Sequence, residues 1–519
     1  MLAWLSALML AQTAPEAVLS QNGEFPRILP PEAPQEVIRN QPVRPLPGQL
    51  DSVPVLNSNS PEVVETPGIL LSTFPPGNTA YPTAHLDYPF EGRFDVFAHH
   101  IARATSPNDL ATLYLGILVH NPTDRPVTID ILQGASYSTQ PEAPFAALPD
   151  AVAFYSLPIY AGPGSRVSLD VLQQQREETF PAQVIIPAGQ SRMIANEPIA
   201  VRTLASPING RTLLMRLRSS GQVYVASMAQ YAPMTWYGVE RPPNLQDWEL
   251  LLANGNLAGP RDRAPTPPDM ENGQLIYGRV SGVSIGSRWT GTVTDPDSDQ
   301  LILPNPGEIV SYGINTLNAV TLGTGQIQTA PLAVRYPDTA YAAHGNYGVQ
   351  YSLELPLHNA SDSPQRVSVY LETPLKNPET VTDQLRFLNP PPDRIFFRGT
   401  VQVRYRNAQD EEQQYFVHLV QRQGQEGDPL LTLDLPAGDR RQVFLDLIYP
   451  ADSTPPQVLT VRTAAGEAGE VEEVEEAEEV EEAEEVEEAE EVEEAEEVEE
   501  AEEEEGAEGE AEEAGEEDS

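Results

Sequence analysis

The chain has no cysteine. That excludes disulfides, thiolate zinc sites, iron–sulfur clusters and cysteine nucleophiles together. It also rules out an acylated N-terminal cysteine as a lipid anchor, and it leaves stability to the core. Lysine is nearly missing: Lys376 is the single one among 30 basic residues. A GC-rich genome and adaptation to salty water both produce that bias. No apolar run is long enough to cross a bilayer as a helix, so no transmembrane segment is expected. Positive charge is short overall, with 78 acidic residues and a net charge of −48. Of those acids, 33 lie between Glu467 and Ser519, where there is no Lys or Arg, leaving 45 acids against 30 bases elsewhere. A body this acidic repels phosphate backbones and anionic membranes, so nucleic acid is not an expected partner.

What is present points to a β protein. Hydrophobic residues make up 40%, enough for a core, and 51 Pro with 35 Gly favour short strands and turns. Val127, Ile129 and Ile131 alternate with polar residues, as do Val367, Val369 and Leu371, Val401, Val403 and Tyr405, and Leu431, Leu433 and Leu435. Period two with one apolar face is the pattern of a half-buried antiparallel strand. Leu113 to Val119 is almost wholly apolar, which predicts a strand buried on both faces. Two helices are predicted. One covers Leu245 to Ala253, with Asn244 as its cap and Gly255 as its stop; a weaker one covers Leu169 to Glu178.

Three landmarks recur in the same order. Thr79 to His85 resembles Thr339 to His344, His120 to Pro126 (H-N-P-T-D-R-P) resembles His358 to Pro364 (H-N-A-S-D-S-P), and Pro187 to Arg192 resembles Pro436 to Arg441. Asn, Asp and Pro favour turns through local hydrogen bonds and a fixed φ. The expectation is an internal duplication, giving two related antiparallel β-sandwich domains. The predicted boundaries are a signal-like segment over 1–14, a Pro-rich linker over 15–60, a first sandwich over 61–241, a second over 242–465, and a disordered acidic tail over 466–519. Leu2 to Leu10 is a short apolar run followed by small residues, the pattern of a signal-peptide core, so export to the periplasm, outer surface or medium is expected. The tail repeats Val or Ala followed by two Glu. Three residues advance a helix by about 300°, so no apolar stripe forms and the repeat should stay solvated. A polyanion for Ca²⁺, cationic partners or wall polymers is the sharper reading of it.

Chemistry is thinly signalled. Gly282 to Gly286 (G-V-S-I-G) fits a serine-nucleophile pattern, but S-R-W-T-G-T-V-T follows where a helix is needed. Asp295, Asp297 and Asp299 alternate as in a Ca²⁺ loop, yet Gln300 stands where Gly is required. They are the one metal site to test, and no other cofactor is expected. Of the seven His, His99 and His100 are adjacent, so on a strand they face opposite sides. Aromatic stretches at Phe154 to Tyr160 and Gln230 to Tyr237 could stack on sugars or fill the core.

Five strings carry a resemblance: Arg44 to Asp51, Asn57 to Val64 (N-S-N-S-P-E-V-V), Gly68 to Pro76, Phe94 to His100 (F-D-V-F-A-H-H) and His344 to Val349 (H-G-N-Y-G-V). Over Pro42 to Arg462 the chain resembles an uncharacterised family of exported cyanobacterial proteins. The resemblance implies a cyanobacterial source and export, and it brings no activity and no catalytic residues. The reading is therefore a non-catalytic envelope or extracellular protein, with polysaccharide or other surface proteins as partners. The alternative is a glycan-active enzyme using paired carboxylates on a β scaffold.

Overall fold

The computed structural model describes residues 33–465, apart from 78, 105, 107–109, 269, 271–275, 319 and 377–382. The signal-like segment and the acidic tail therefore lie outside the described residues. The described chain is mainly β, arranged in several sheets with two α-helices. The alternating segments named above all form strands, among them Val127–Ser138, Gln365–Glu372, Ile395–Arg406 and Pro429–Leu435. Leu113–His120 is flanked on both sides, by Ser191–Ile199 and by the end of Ile208–Tyr231.

The long strand Ile208–Tyr231 organises the N-terminal half. Its first part pairs with Phe90–Arg103 and Val127–Ser138. A register shift after Ser219 then lets its second part pair with Leu113–His120 and Gly68–Ser72. The sheet so folds over a core that includes Phe94, Ile117, Ile129, Leu213 and Val225. In the C-terminal half an eight-stranded and a five-stranded sheet face each other over Leu353, Val369, Val403, Leu445 and Val461. Fully burying such side chains contributes about 1.5–3 kcal/mol each.

The two halves share a strand order. In the first, the sequence across one layer is Gln183–Ile186, Val127–Ser138, Ile208–Tyr231, Phe90–Arg103 and Pro54–Ser58; in the second it is Pro429–Leu435, Gln365–Glu372, Gln457–Thr463, Ile309–Ile314 and Val43–Arg44. The last pair in each layer is parallel. The corresponding turns share four side-chain bonds, and Asn359 adds a fifth to Pro436 O (2.9 Å). Asn121 Nδ2 donates to Arg125 O (2.7 Å) and Ile186 O (3.0 Å), while its Oδ1 accepts from Thr123 N and Oγ1. Asn359 Nδ2 donates to Ser363 O (2.8 Å) and Leu435 O (3.0 Å), while its Oδ1 accepts from Ser361 N and Oγ. Each Asn N–H also reaches the other landmark turn, at Gln190 O and Asp439 O. Gly189 and Gly438 both take positive φ there, 64° and 72°. The first landmark behaves differently. His85 follows a 3-10 turn at Pro82–Ala84, whereas His344 follows the strand Ala342–Ala343. Phe94 to His100 belongs to a strand whose counterpart by sheet position, Ile309–Ile314, precedes Thr339 instead of following Thr79.

Strands cross the boundary expected near Pro242 in both directions. Ala151–Phe154 joins the eight-stranded sheet, and Ser281–Ile285 with Ala330–Arg335 extends the N-terminal sheet beside Pro54–Ser58. A core of Phe97, Phe154, Val167, Leu214, Phe416 and Ile448 joins the halves. Residues 33–60, expected as a linker, contribute strands and send Val43, Leu46 and Leu56 into the cores. Gln35–Asn40 pairs with Gln384–Asn389, and Gln49–Leu50 with Arg288–Thr292. Their prolines flank these short strands, where no ladder N–H is needed.

Of the helices, α2 spans Leu245–Asn254, one residue longer than expected, with a capping box between Asn244 and Asp247 and Gly255 as its C-cap. The other expectation is displaced: α1 spans Pro163–Leu172 instead of Leu169 to Glu178. Pro163 fits the first turn, where no N–H partner is required, and Gln174 turns the chain away with φ 62°. Among the described residues no helix is long and apolar enough to cross a membrane.

Candidate binding cleft

Where the two halves meet, a cleft of about 330 Å³ is lined by Asn57, Asn59, Glu62, His99, Tyr277 and Arg279 on one wall. His344, Asn346, Tyr347 and Lys376 line the other. Three of the five strings singled out in the sequence supply these walls: Asn57 to Val64, Phe94 to His100 and His344 to Val349. Local structure explains how they converge. Pro54–Ser58 runs parallel to Phe90–Arg103 and antiparallel to Ser281–Ile285, so residues 57–62, 99 and 277–279 come side by side. The two adjacent histidines diverge as strand alternation requires. His100 is fully buried and fastens the 58–61 loop through Ser58 Oγ (2.9 Å) and Pro61 O (2.8 Å). His99 lines the cleft and shares a hydrogen bond with Thr212 Oγ1 (2.9 Å). On the opposite wall Asn346, at φ 45°, ties the loop by donating to Gln328 O (2.8 Å) and accepting from Ala330 N (3.0 Å). Tyr347 donates to Ser453 O (3.0 Å) and stacks on Tyr449.

The electrostatics mix neutral polar groups with a few charges. Burial pulls the Glu62 carboxyl upward, but Arg279 and His99 outweigh it and hold it below its usual value. Arg279 Nε donates to Glu62 at 2.9 Å and its Nη1 to Asp262 at 2.9 Å. Burial lowers His344 to about 4, so it is neutral at ordinary pH. Burial, helped by Arg394, lowers Lys376 to about 8, and its ammonium lies 5.6 Å from the centre of the Phe396 ring. Asn59 Oδ1, Tyr277 OH and His344 Nδ1 are buried with no hydrogen-bond partner among the described residues. An unpaired buried polar atom costs about 1–3 kcal/mol, and all three belong to side chains that line this cleft. The Tyr277 ring lies 4.5 Å from His344.

A larger hollow of about 590 Å³ lies over the strands carrying Arg404, Arg441 and Phe444. Three of its four arginines are engaged: Arg404 donates to Asp446 (2.9 Å), Arg441 to Asp439 (2.5 Å), and Arg406 lies 3.4 Å from Asp410. Most of its charge is neutralised by the protein's own carboxylates, and the smaller cleft, where three of the sequence strings converge, is the better site.

Other sequence candidates fall elsewhere. Ser284 of the G-V-S-I-G string is 2% exposed within strand Ser281–Ile285, and Gly286 leads into another strand, Arg288–Thr292. No nucleophile elbow forms without the helix. The Asp295 carboxylate accepts from Arg44 Nη1 (2.6 Å) and Ile302 N (2.8 Å), which occupies it within the loop. Asp297 turns at φ 60° beside it, and no bond of Asp299 draws it toward a shared centre. No group of three or more His, Asp or Glu among the described residues is placed to hold a metal ion. Tyr277 and Arg279 were invisible as site residues in the sequence, while Glu62 lay within the Asn57 to Val64 string without being singled out. Nothing local marks them; only pairing across more than 200 residues brings Ser281–Ile285 to Pro54–Ser58.

No curated protein matches the chain. Among solved structures, Lac15 from a marine microbial metagenome is similar at 9% identity and a TM-score of 0.10, over 73% of this chain and 54% of that one. The coconut allergen cocosin is similar at 9% identity and a TM-score of 0.10, over 78% of this chain and 86% of that one. This chain thus spans about half the length of the Lac15 chain, and likenesses this weak carry no argument. Residues 41–463 match the family described as protein of unknown function (DUF3370), and the chain belongs to that family.

Proposed function

We propose that this is an exported, non-catalytic envelope or extracellular protein whose cleft holds a short stretch of neutral carbohydrate. The observation that carries the reading is the convergence of Asn57 to Val64, Phe94 to His100 and His344 to Val349 on one cleft, with Asn59 Oδ1, Tyr277 OH and His344 Nδ1 left unpaired in its walls. Sugars offer many hydroxyls and apolar ring faces, and the cleft offers amides, a neutral imidazole and tyrosine rings. Its volume of about 330 Å³ is at the small end of ligand sites, the range for one or two sugar units. Paired-carboxylate hydrolysis needs two carboxyls facing across the cleft. Among the described residues Glu62 is the single acidic one in its lining, and Arg279 already holds it, which favours binding over the glycan-active alternative. The short apolar N-terminal run and the resemblance to exported cyanobacterial proteins support export. The common strand order and the twin Asn turns support descent of the two halves from one duplicated unit.

The test is calorimetric titration of the full chain with neutral mono- and oligosaccharides. Binding that is lost in Asn59→Ala and His344→Ala, while thermal melts stay within a few degrees, is the expected result. Sugars that fail to bind, or that bind both variants equally well, overturn the reading. Cleavage products that vanish in Glu62→Gln would replace it with the enzyme.

A further inference from the structure

A second surface feature stands apart from the cleft. Residues 232–239 read A-P-M-T-W-Y-G-V, eight positions without a charge in an otherwise acidic protein. They form a tight projecting hairpin in which Met234 is 61% exposed, Trp236 94%, Tyr237 63% and Val239 56%. Burying such side chains is the usual outcome of folding, and four together at one tip form an apolar patch with a purpose to find. Trp236 and Tyr237 brace each other edge to face, ring centres 5.0 Å apart.

The hairpin closes its base on itself. Thr235 N donates to Val239 O (2.8 Å), Gly238 N to Thr235 O (3.0 Å) and Arg241 N to Pro233 O (2.9 Å). The Thr235 hydroxyl donates to Val239 O (2.8 Å) and accepts from Val239 N (3.0 Å). This pairing lowers the cost of carrying the base of the hairpin out of bulk water, while the tip can keep its backbone hydrated in the wet headgroup layer. The charges at its base are neutralised in pairs: Glu240 with Arg202 (2.7 Å) and Arg241 with Asp247 (2.6 Å). A tip of this size cannot supply the roughly 800 Å² per partner of a stable protein interface. Trp and Tyr, by contrast, are the residues that settle at a membrane–water boundary.

We propose that the 232–239 hairpin dips into the headgroup layer of an electrically neutral membrane and holds the protein there reversibly. The charge decides the lipid. Outside its acidic tail the chain carries 45 acids against 30 bases, so an anionic surface repels it and no polybasic patch compensates.

The test uses the full chain with phosphatidylcholine vesicles and with vesicles containing one-third phosphatidylglycerol. The chain tested carries Trp4→Phe in its apolar N-terminal run, and Trp248 and Trp289 are buried and give a constant background, so the remaining change in emission reports Trp236. A blue shift and co-flotation with the neutral vesicles are expected, several-fold weaker with the anionic ones. Trp236→Ser with Tyr237→Ser should cut the bound fraction at least tenfold and leave the thermal melt unchanged, since both side chains project into solvent. Binding that survives the double substitution, as it would if the apolar N-terminal run were responsible, overturns the proposal. So does a blue shift without lipid that tracks protein self-association in sedimentation.

Discussion

Replacing Asn121 or Asn359 by Ala should destabilise the protein to a similar degree at two places far apart in sequence. Both side chains are buried, 0% and 1% exposed. Each makes at least four hydrogen bonds, two as donor and two as acceptor. A buried hydrogen bond contributes about 1 kcal/mol net, and water regains only part of what the substitution removes. The expected loss is therefore about 2–4 kcal/mol for Asn121→Ala and the same for Asn359→Ala. Asn→Asp should cost at least as much at either site. It keeps Oδ1 as an acceptor for Thr123 or Ser361, but it deletes the donor and sets a carboxylate against carbonyl oxygens such as Ile186 O and Leu435 O. Urea unfolding followed by far-ultraviolet circular dichroism gives the free energy, with an unchanged m-value as the check that compactness is unaltered. A loss below about 1 kcal/mol at both sites would refute the argument that these amides hold the turns. A large loss at one site and none at the other would refute their equivalence.

Two further outcomes are expected. Gly116→Ala should lower stability by about 1–3 kcal/mol, because a Cβ there would stand 2.7–2.9 Å from the ring of the fully buried Trp248; a neutral result in the same urea assay would mean that the helix carrying Trp248 shifts freely. Stability should fall as pH drops from 6.5 toward 4, because burial lowers His100, His344 and His418 to about 4 in the fold while the unfolded chain takes its protons near 6.5. For fully buried His100 the sign gives a penalty that is absent above pH 6.5 and grows to about 3 kcal/mol near pH 4, so His100→Gln should flatten the pH dependence, and an unchanged slope would be contrary to it.

The elements were legible where their causes are local. Alternation at Val367, Val369 and Leu371 needs only neighbours in sequence, as does the Asn244 cap of α2. The displaced α1 shows the limit: Leu169 to Leu172 were read as a start and prove to be an end, because Pro163 and the packing of Val167 against the joint between the halves set the helix earlier. Residues 33–60 read as linker since the strands that complete them lie hundreds of positions away, at Arg288–Thr292 and Gln384–Asn389. The cleft was legible only in pieces. His99, His344 and Lys376 each stood out, but no spacing connects them; the pairing of Pro54–Ser58 with Ser281–Ile285 does.

The first strand of the described chain has a consequence for how the protein is made. Gln35–Asn40 leaves the ribosome early, yet its partner Gln384–Asn389 is the last thing it can pair with, and the contact between Glu36 and Arg386 closes a separation of 350 residues. At the usual pace of about 5–20 residues per second, the strand waits roughly 20–70 s for that partner to be synthesised. During that interval Val37 and Ile38 stay unpaired, and the neighbouring strands Val43–Arg44 and Gln49–Leu50 wait almost as long for Ile309–Ile314 and Arg288–Thr292. The opening strands thus wait while most of the chain is made, whereas Phe90–Arg103 and Ile208–Tyr231 can pair far earlier, so this fold closes from its middle and its first residues are added to it late.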